Sequence, residues 1–338
     1  MKKMLCILLC LMMAPMLPAS GESTKLVIPE RSGDYHYTLD SSNVATIVEY
    51  FGQEESLTVP SSIEGYPVKT IGYHAFENGY NLTTVTLPDS VEIIDSDSFG
   101  VCESLAEILV APDNPVFTQI DGVLFNKTDK TLIAYPVKKK GKSYSVPAEI
   151  KSIGKHAFLR CDNLTSITLP EGLETISDYA FDNCRKLTKV TLPNSIETIG
   201  SNPFANCESL SKISVAPNNP VFTQIDGVLF NIVEEKLIAY PIGRKSKTYT
   251  VPAGIKSIGD DAFFGSEKLT SIMLPEELES IGDWAFSLCE NLTSIMLPER
   301  LEYIGDDVFD EGIILTVVSD SYAETWAMEN GIDYQYPD

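Results

Sequence analysis

The chain has 338 residues, with 25 Lys+Arg against 48 Asp+Glu and a formal net charge of −23. A field of that sign repels phosphate backbones, so nucleic acid is not expected as a partner. Length alone suggests two domains, but a repeat that runs through the chain removes the reason to divide it, and one elongated domain over residues 21–338 is expected.

Met1, Lys2 and Lys3 form a short basic start, residues 4–16 are apolar, and Ala19, Ser20 and Gly21 suit a cleavage site. This is the anatomy of a secretory signal peptide over residues 1–20. The apolar run falls short of the roughly 20 residues that a membrane span needs. Only six residues separate Lys3 from Cys10, which leaves little apolar region for a lipoprotein site. Removing residues 1–20 takes away Lys2 and Lys3 and no acid, so the mature chain is more negative still. Residues 34–51, with Tyr35, Tyr37, Ile47 and Tyr50, read as an antiparallel cap within an N-terminal region 24–60.

The repeats occupy residues 61–312. Phe76, Phe99, Phe158, Phe181, Phe204, Phe263, Phe286 and Phe309 recur at gaps of 23 or 59 residues, the mark of a solenoid. A unit of 23 residues cannot bury its own apolar face and needs stacked neighbours. In the unit 164–186, Ser166, Ile167, Thr168 and Leu169 alternate polar and apolar, the period of a half-buried strand. Pro170 ends the strand, Glu171 and Gly172 turn the chain, and Leu173 and Ile176 return to the core. Ser177 and Asp178 suit the N-cap of a short helical turn carrying Ala180 and Phe181, with Asp283 placed alike. The fold class is therefore an α/β repeat solenoid, a right-handed coil with a parallel sheet face, short helical turns and terminal caps.

Stacked strands present their polar positions on one face: Thr84, Thr86, Ser166, Thr168, Lys189, Thr191, Lys212, Ser214, Ser271, Met273, Ser294 and Met296. Such a face suits an adaptable binding surface and equally a solvated sheet face. Met273 and Met296 lie one repeat apart and make a small apolar patch.

A longer period overlies the first, since Phe99 and Phe204, or Pro147 and Pro252, are 105 residues apart. Each long copy holds a near-verbatim block, 114–126 and 219–231, followed by Leu-Ile-Ala-Tyr-Pro. Residues 123–125 and 132–135 read as a β-hairpin projecting from the solenoid edge, with inserts near 113–142 and 218–247. The following stretches are basic, with Lys138, Lys139, Lys140 and Lys142 in one copy and Arg244, Lys245 and Lys247 in the other. They read either as solvated turns or as a contact for an acidic partner. In the C-terminal cap, 313–338, Ser321 starts a helix over 322–330 that Gly331 stops.

Seven cysteines occur, two of them, Cys6 and Cys10, in the leader. Cys102, Cys161, Cys184, Cys207 and Cys289 each sit three residues after a repeat phenylalanine, where Gly79, Ser266 and Gly312 also occur. One shared phase and an odd count point to buried free thiols. His36, His74 and His156 are the only histidines, and the last two share the slot before Ala-Phe with Tyr179 and Trp284. They are expected to be placed by the fold rather than by a shared site, and acidic pairs such as Asp260 and Asp261 to cap and solvate. No catalytic residue, cofactor or metal is expected, because no nucleophile elbow, phosphate loop or zinc spacing is present.

These motifs, with Ile-Asp-Gly-Val-Leu-Phe-Asn and the closing segment 321–331, resemble the bacterial BspA-like, or Treponema pallidum-type, leucine-rich repeat family from about residue 34 to the end. The asparagine ladder of animal and plant leucine-rich repeats is replaced here by Ser90, Gly172, Ser195, Glu277 and Arg300. The resemblance implies secretion or surface display, and some members are adhesins for host matrix proteins. The leading expectation is a non-enzymatic, monomeric binding protein for a protein or glycan. The alternative is a structural or self-associating surface protein with no foreign ligand, which the Ser/Thr monotony of the strand face favours.

Overall fold

The computed structural model describes residues 29–100 and 102–337, so the signal peptide, Cys6 and Cys10 lie outside the described residues. Each coil opens with a strand of three or four residues whose middle apolar side chain points into the core, as at Ser166–Thr168 and Ser271–Met273. The 23-residue unit sets the register: Ser143 pairs with Ser166, Ser166 bridges to Lys189, and Val190 pairs with Ile213, all parallel. After the proline turn a second, two-residue strand forms in each regular 23-residue coil. Ser152–Ile153, Thr175–Ile176 and Thr198–Ile199 stack in parallel, so Ile176 returns to the core as part of a ladder.

The segment expected as a helical turn is instead a run of hydrogen-bonded turns. The residue before Ala-Phe is left-handed in coil after coil, with φ of 57° at His74, 54° at His156, 52° at Tyr179 and 58° at Trp284. A left-handed residue in each pass prevents an α-helix from propagating. The aspartates expected as N-caps reach across to the next coil. Asp178 Oδ1 accepts the Ser201 N–H at 2.9 Å, Asp260 Oδ1 that of Asp283 at 3.1 Å, and Asp283 Oδ1 that of Asp306 at 2.9 Å. Each bond satisfies a backbone donor that the short turn leaves unpaired.

The long copies hold three antiparallel strands rather than two. Phe117–Ile120 pairs with Val123–Asn126, which pairs with Thr131–Ala134. Asp121 and Gly122 make the tight turn, with φ of 52° and 72°, and Asp226 and Gly227 repeat it at 52° and 81°. This unit does not project. Val123, Leu124, Phe125 and Leu132 are buried, and Thr131–Ala134 continues the short-strand sheet by pairing with Ser152–Ile153. Asn114 braces the unit: its amide donates to the carbonyls of Pro88 and Val91, and its Oδ1 accepts from the Val116 and Phe117 N–H groups. Asn219 does the same in the second copy.

Glu30–Ser32, Tyr35–Leu39 and Ala45–Tyr50 form an antiparallel cap that joins Tyr66–Ile71. At the far end the helix Tyr322–Asn330 starts at Ser321, whose side chain accepts the Glu324 N–H, and stops at left-handed Gly331.

The repeat phenylalanines stack ring on ring: Phe158 lies 4.9 Å from Phe181, and Phe181 5.4 Å from Phe204. Tyr135 and Tyr240 take the same slot in the long copies, 5.1 Å from Phe158 and from Phe263. Among the described residues no such stack joins Phe99 to Tyr135 or Phe204 to Tyr240. The core correspondingly falls into three clusters that meet at the long copies.

The five cysteines of the repeats are free and buried. They form a ladder, each thiol facing the carbonyl of the aromatic residue one coil back, as Cys184 does to Phe158 at 3.1 Å and Cys207 to Phe181 at 3.3 Å. Burial pushes the thiols of Cys102 and Cys289 up to about 12. A thiol held protonated out of solvent is a poor nucleophile. In a chain lacking residues 1–20, thiol titration is expected to find no reaction in the native protein and all five thiols after denaturation without reductant. A smaller number after denaturation would mean that disulfides had formed.

Candidate functional site

The strand face is open to solvent along much of the molecule. Ser166, Thr168, Lys189, Thr191, Lys212, Ser271, Met273, Ser294 and Met296 are exposed, while Thr84, Thr86 and Ser214 are half-buried. Thr168 sits level with Ser145, Thr191 with Ser214, Met273 with Thr250, and Met296 with Thr316. Met273 and Met296 are 60% and 53% exposed, on strands of successive coils. The face is not continuous, however. The turn of each long copy docks against the preceding strand, with the Ile108 N–H donating to Gly122 and that of Ile213 to Gly227, each at 2.9 Å.

The basic stretches divide by role. Lys138, Lys140, Lys142, Lys245 and Lys247 are exposed. Lys139 is held: its side chain, 12% exposed, pairs with the Asp121 carboxylate at 2.9 Å and donates to the Asp121 carbonyl. Arg244 occupies the equivalent place, donating to the Asp226 carbonyl with its guanidinium over the rings of Tyr240 and Tyr249. These two cations lock the tight turns and are not free for a partner.

A polar cluster the sequence reading did not foresee lies where the long copies interrupt the stack. In regular coils the turn corner is joined by backbone bonds, such as Tyr179 N–H to Ser201 and Phe181 N–H to Pro203. The long copy sends its chain into the three-stranded unit, so the coils on either side meet through side chains. At the first seam His156 Nδ1 lies 2.7 Å and His74 Nε2 3.6 Å from Asp97 Oδ2, and Glu77 holds the other nitrogen of His74 at 3.0 Å. The two histidines are thus brought to one carboxylate, contrary to the expectation that no site would join them. Burial pushes Asp97 up, but the two imidazoles outweigh it and hold its carboxyl below the usual range. Asp97, and then Glu77, holds the His74 imidazole above its usual value against the opposing effect of burial.

At the second seam Tyr179, Asn202 and Asp261 stand 105 residues on from His74, Asp97 and His156. Asn202 Nδ2 donates to the Asp261 carbonyl at 2.7 Å, and the Tyr179 hydroxyl donates to the Asp261 carboxylate. Burial pushes Asp261 up to about 6; the Tyr179 hydroxyl opposes this, and Asp260, Asp182 and Asp283 add to it. A cavity of about 190 Å³ opens beside the first seam, lined by Asp97, Phe99, Tyr135 and His156. Among the described residues no group of three His, Cys, Asp or Glu side chains is arranged to hold a metal ion, and no helix is long and apolar enough to cross a membrane.

A coil of stacked short parallel strands, with an inward apolar and aromatic ladder and one turn-rich side, defines a bacterial-type leucine-rich repeat protein. The chain matches the BspA type leucine rich repeat region over residues 41–140, 133–238 and 242–322, and belongs to that family. Its fold is similar to that of a leucine rich cell surface protein from Faecalibacterium prausnitzii, 23% identical over 94% of this chain and 96% of that one, with a TM-score of 0.52. A leucine-rich repeat protein from Eubacterium ventriosum is 20% identical over 83% and 93% of the two chains, with a TM-score of 0.48. The pneumococcal vaccine antigen PcpA is 19% identical over 93% and 100%, also at 0.48. No curated protein matches the chain.

Proposed function

We propose that the chain is a non-enzymatic repeat module, exported by the leader 1–20 and displayed outside the cell as one domain over 21–338, that binds a protein or a glycan. The observation that carries this reading is the strand face, open to solvent on either side of the second long copy, at Ser166–Thr168 and Val190–Leu192 and again at Ser271–Met273 and Ser294–Met296. A rigid, repeated, uncovered surface is what a repeat protein offers a large ligand. Surface display is supported by the likeness in fold to the Faecalibacterium cell surface protein. The Ser/Thr monotony of the face supports a second reading, a spacer that holds other parts of a surface assembly apart.

An array of matrix proteins and glycans probed with residues 21–338 tests the first reading. Saturable capture of at least one ligand is expected, with about a tenfold loss, equivalent to about 1.4 kcal/mol, when Thr168, Thr191 and Met273 are changed to Glu. Capture of nothing, or capture indifferent to both the face and the edges, would leave the spacer reading.

A further inference from the structure

The charges of this acidic chain are sorted across the coil. Lys140, Lys142, Lys186, Lys189, Lys212 and Lys247 are all exposed at the N-terminal ends of the long strands. The ladder aligns them. The Lys142 carbonyl accepts the Thr165 N–H at 2.8 Å, and the Thr165 carbonyl accepts that of Thr188 at 3.1 Å, one residue before Lys189. Lys189 precedes Val190, which pairs with Ile213, the residue after Lys212. The row then crosses the second long copy, because the Gly243 N–H donates to Leu210 at 2.9 Å and so lays the loop of Lys245 and Lys247 beside Lys212. None of these six lysines forms an ion pair. The acids on this edge are Glu208, which is taken by Arg185, Glu267, which stands beside a further exposed cation, Lys268, and the exposed Glu107, Asp226 and Glu290.

The opposite ends of the strands carry the reverse. Glu149, Glu171, Glu197, Glu276, Glu279 and Glu302 are exposed there. Three lysines on that side, Lys69, Lys151 and Lys256, are each tied to a glutamate, Glu92, Glu174 and Glu235, while Lys130 and Lys236 form no ion pair among the described residues. Between Lys140 and Lys247, unpaired cations thus outnumber exposed carboxylates on one edge, and the opposite edge carries more exposed carboxylates than unpaired cations.

We propose that the lysine edge is a binding surface for a linear anionic polysaccharide, which rests on the binding-module reading and names its ligand class. Coils about 4.8 Å apart set the cations in a row along the solenoid axis, as a polymer with regularly spaced sulfates or carboxylates requires. The edge is built from lysine, which is depleted in protein interfaces, rather than from the aromatic, Met and Arg anchors that dominate them. A thin polysaccharide lies along one edge, whereas duplex DNA also meets the field of the acidic edge. Many weak charge contacts in a row give affinity that grows with polymer length and falls with salt.

The test uses the chain 21–338 and heparin oligosaccharides of two lengths at about 50 mM salt, where the Debye length still exceeds 10 Å. Two quadruple variants carry the same charge change: Lys142, Lys189, Lys212 and Lys247 to Ser on the edge, and Lys69, Lys151, Lys236 and Lys256 to Ser away from it. The unmodified protein is expected to prefer the longer heparin and release it as salt rises, the edge variant to lose about tenfold, and the control to stay within about twofold. Equal loss in both variants, no binding by the unmodified protein, or equal binding of duplex DNA would overturn the proposal. If the protein and glycan array finds a ligand that the edge variant still captures, this surface fails while the binding-module reading stands. An array with no ligand at all removes that reading instead.

Discussion

Replacing Phe181 with alanine is expected to cost about 3–5 kcal/mol of stability, the range of large-to-small changes in a close-packed core. Its ring is fully buried between Phe158 and Phe204, nearly parallel to both, with interplanar angles of 16° and 12°. Neighbouring coils cannot close on the gap, because their spacing is fixed on both sides by strand ladders and at the corner by the Phe181 N–H bond to Pro203. The Phe181 carbonyl also receives the Cys207 thiol, so the disturbance reaches the next coil directly. Phe99→Ala serves as the comparison. That ring has a stacked neighbour on one side only, Phe76, and is 8% exposed, so its loss should be smaller. Urea unfolding of both variants measures the difference. A loss at Phe181 within about 0.5 kcal/mol, the range of surface substitutions, would show that the ring does not hold the stack.

The repeat was legible because burial in a stacked coil is periodic. Ile167, Leu169, Leu173, Ile176 and Phe181 are each buried once per turn of the coil, and their spacing in the sequence records it. The helix Tyr322–Asn330 was legible for a local reason, since a capping serine and a left-handed glycine mark its two ends. The aromatic slot of the long copies was harder to see because a tyrosine fills it. Yet Ala134-Tyr135 stands 23 residues before Ala157-Phe158, and Asp121-Gly122 is a strong signal for a two-residue hairpin turn. Both signals are present in the sequence. The turn corner misled for a physical reason: Asp before a short apolar pair is equally good as an N-cap and as an acceptor for the next coil, and only the stack decides between them. The seams could not be read at all. His74, Asp97 and His156 occupy the same slot of their repeats, and nothing local says that a 59-residue copy leaves the coils of Asp97 and His156 in contact. The lysine edge combines residues from different slots, so no single motif displays it.

The two seams are expected to respond to substitution with opposite sign, the first near pH 6 and the second at pH 7.5. At the first, Asp97→Asn removes the charge that two imidazoles face while keeping a residue that tolerates the left-handed φ of 64°. The Asp97 side chain is 6% and that of His156 15% exposed, so the contact is poorly screened. Its loss is expected to cost about 1–3 kcal/mol near pH 6, within the range for charge-assisted contacts. The raised imidazole of His74 contributes stability that is present below about pH 6.5 and fades as pH rises through its folded value. The depressed carboxyl of Asp97 contributes above about pH 4 and is lost as pH falls through its folded value. The first seam is therefore tightest between those limits, and Asp97→Asn should flatten that dependence. At the second seam Asp261 is raised to about 6, so its ionised form opposes folding. Stability there is whole below about pH 4 and lost as pH rises through 6. Asp261→Asn keeps an acceptor for the Tyr179 hydroxyl, removes the buried charge, and should gain about 1–3 kcal/mol at pH 7.5 while changing little at pH 4. Thermal and urea unfolding of both variants across pH 4–8 checks the pair. A destabilising Asp261→Asn at pH 7.5, or an Asp97→Asn whose cost does not change between pH 6 and 8, would mean that the seams hold the coils together by packing and neutral hydrogen bonds instead of by charge.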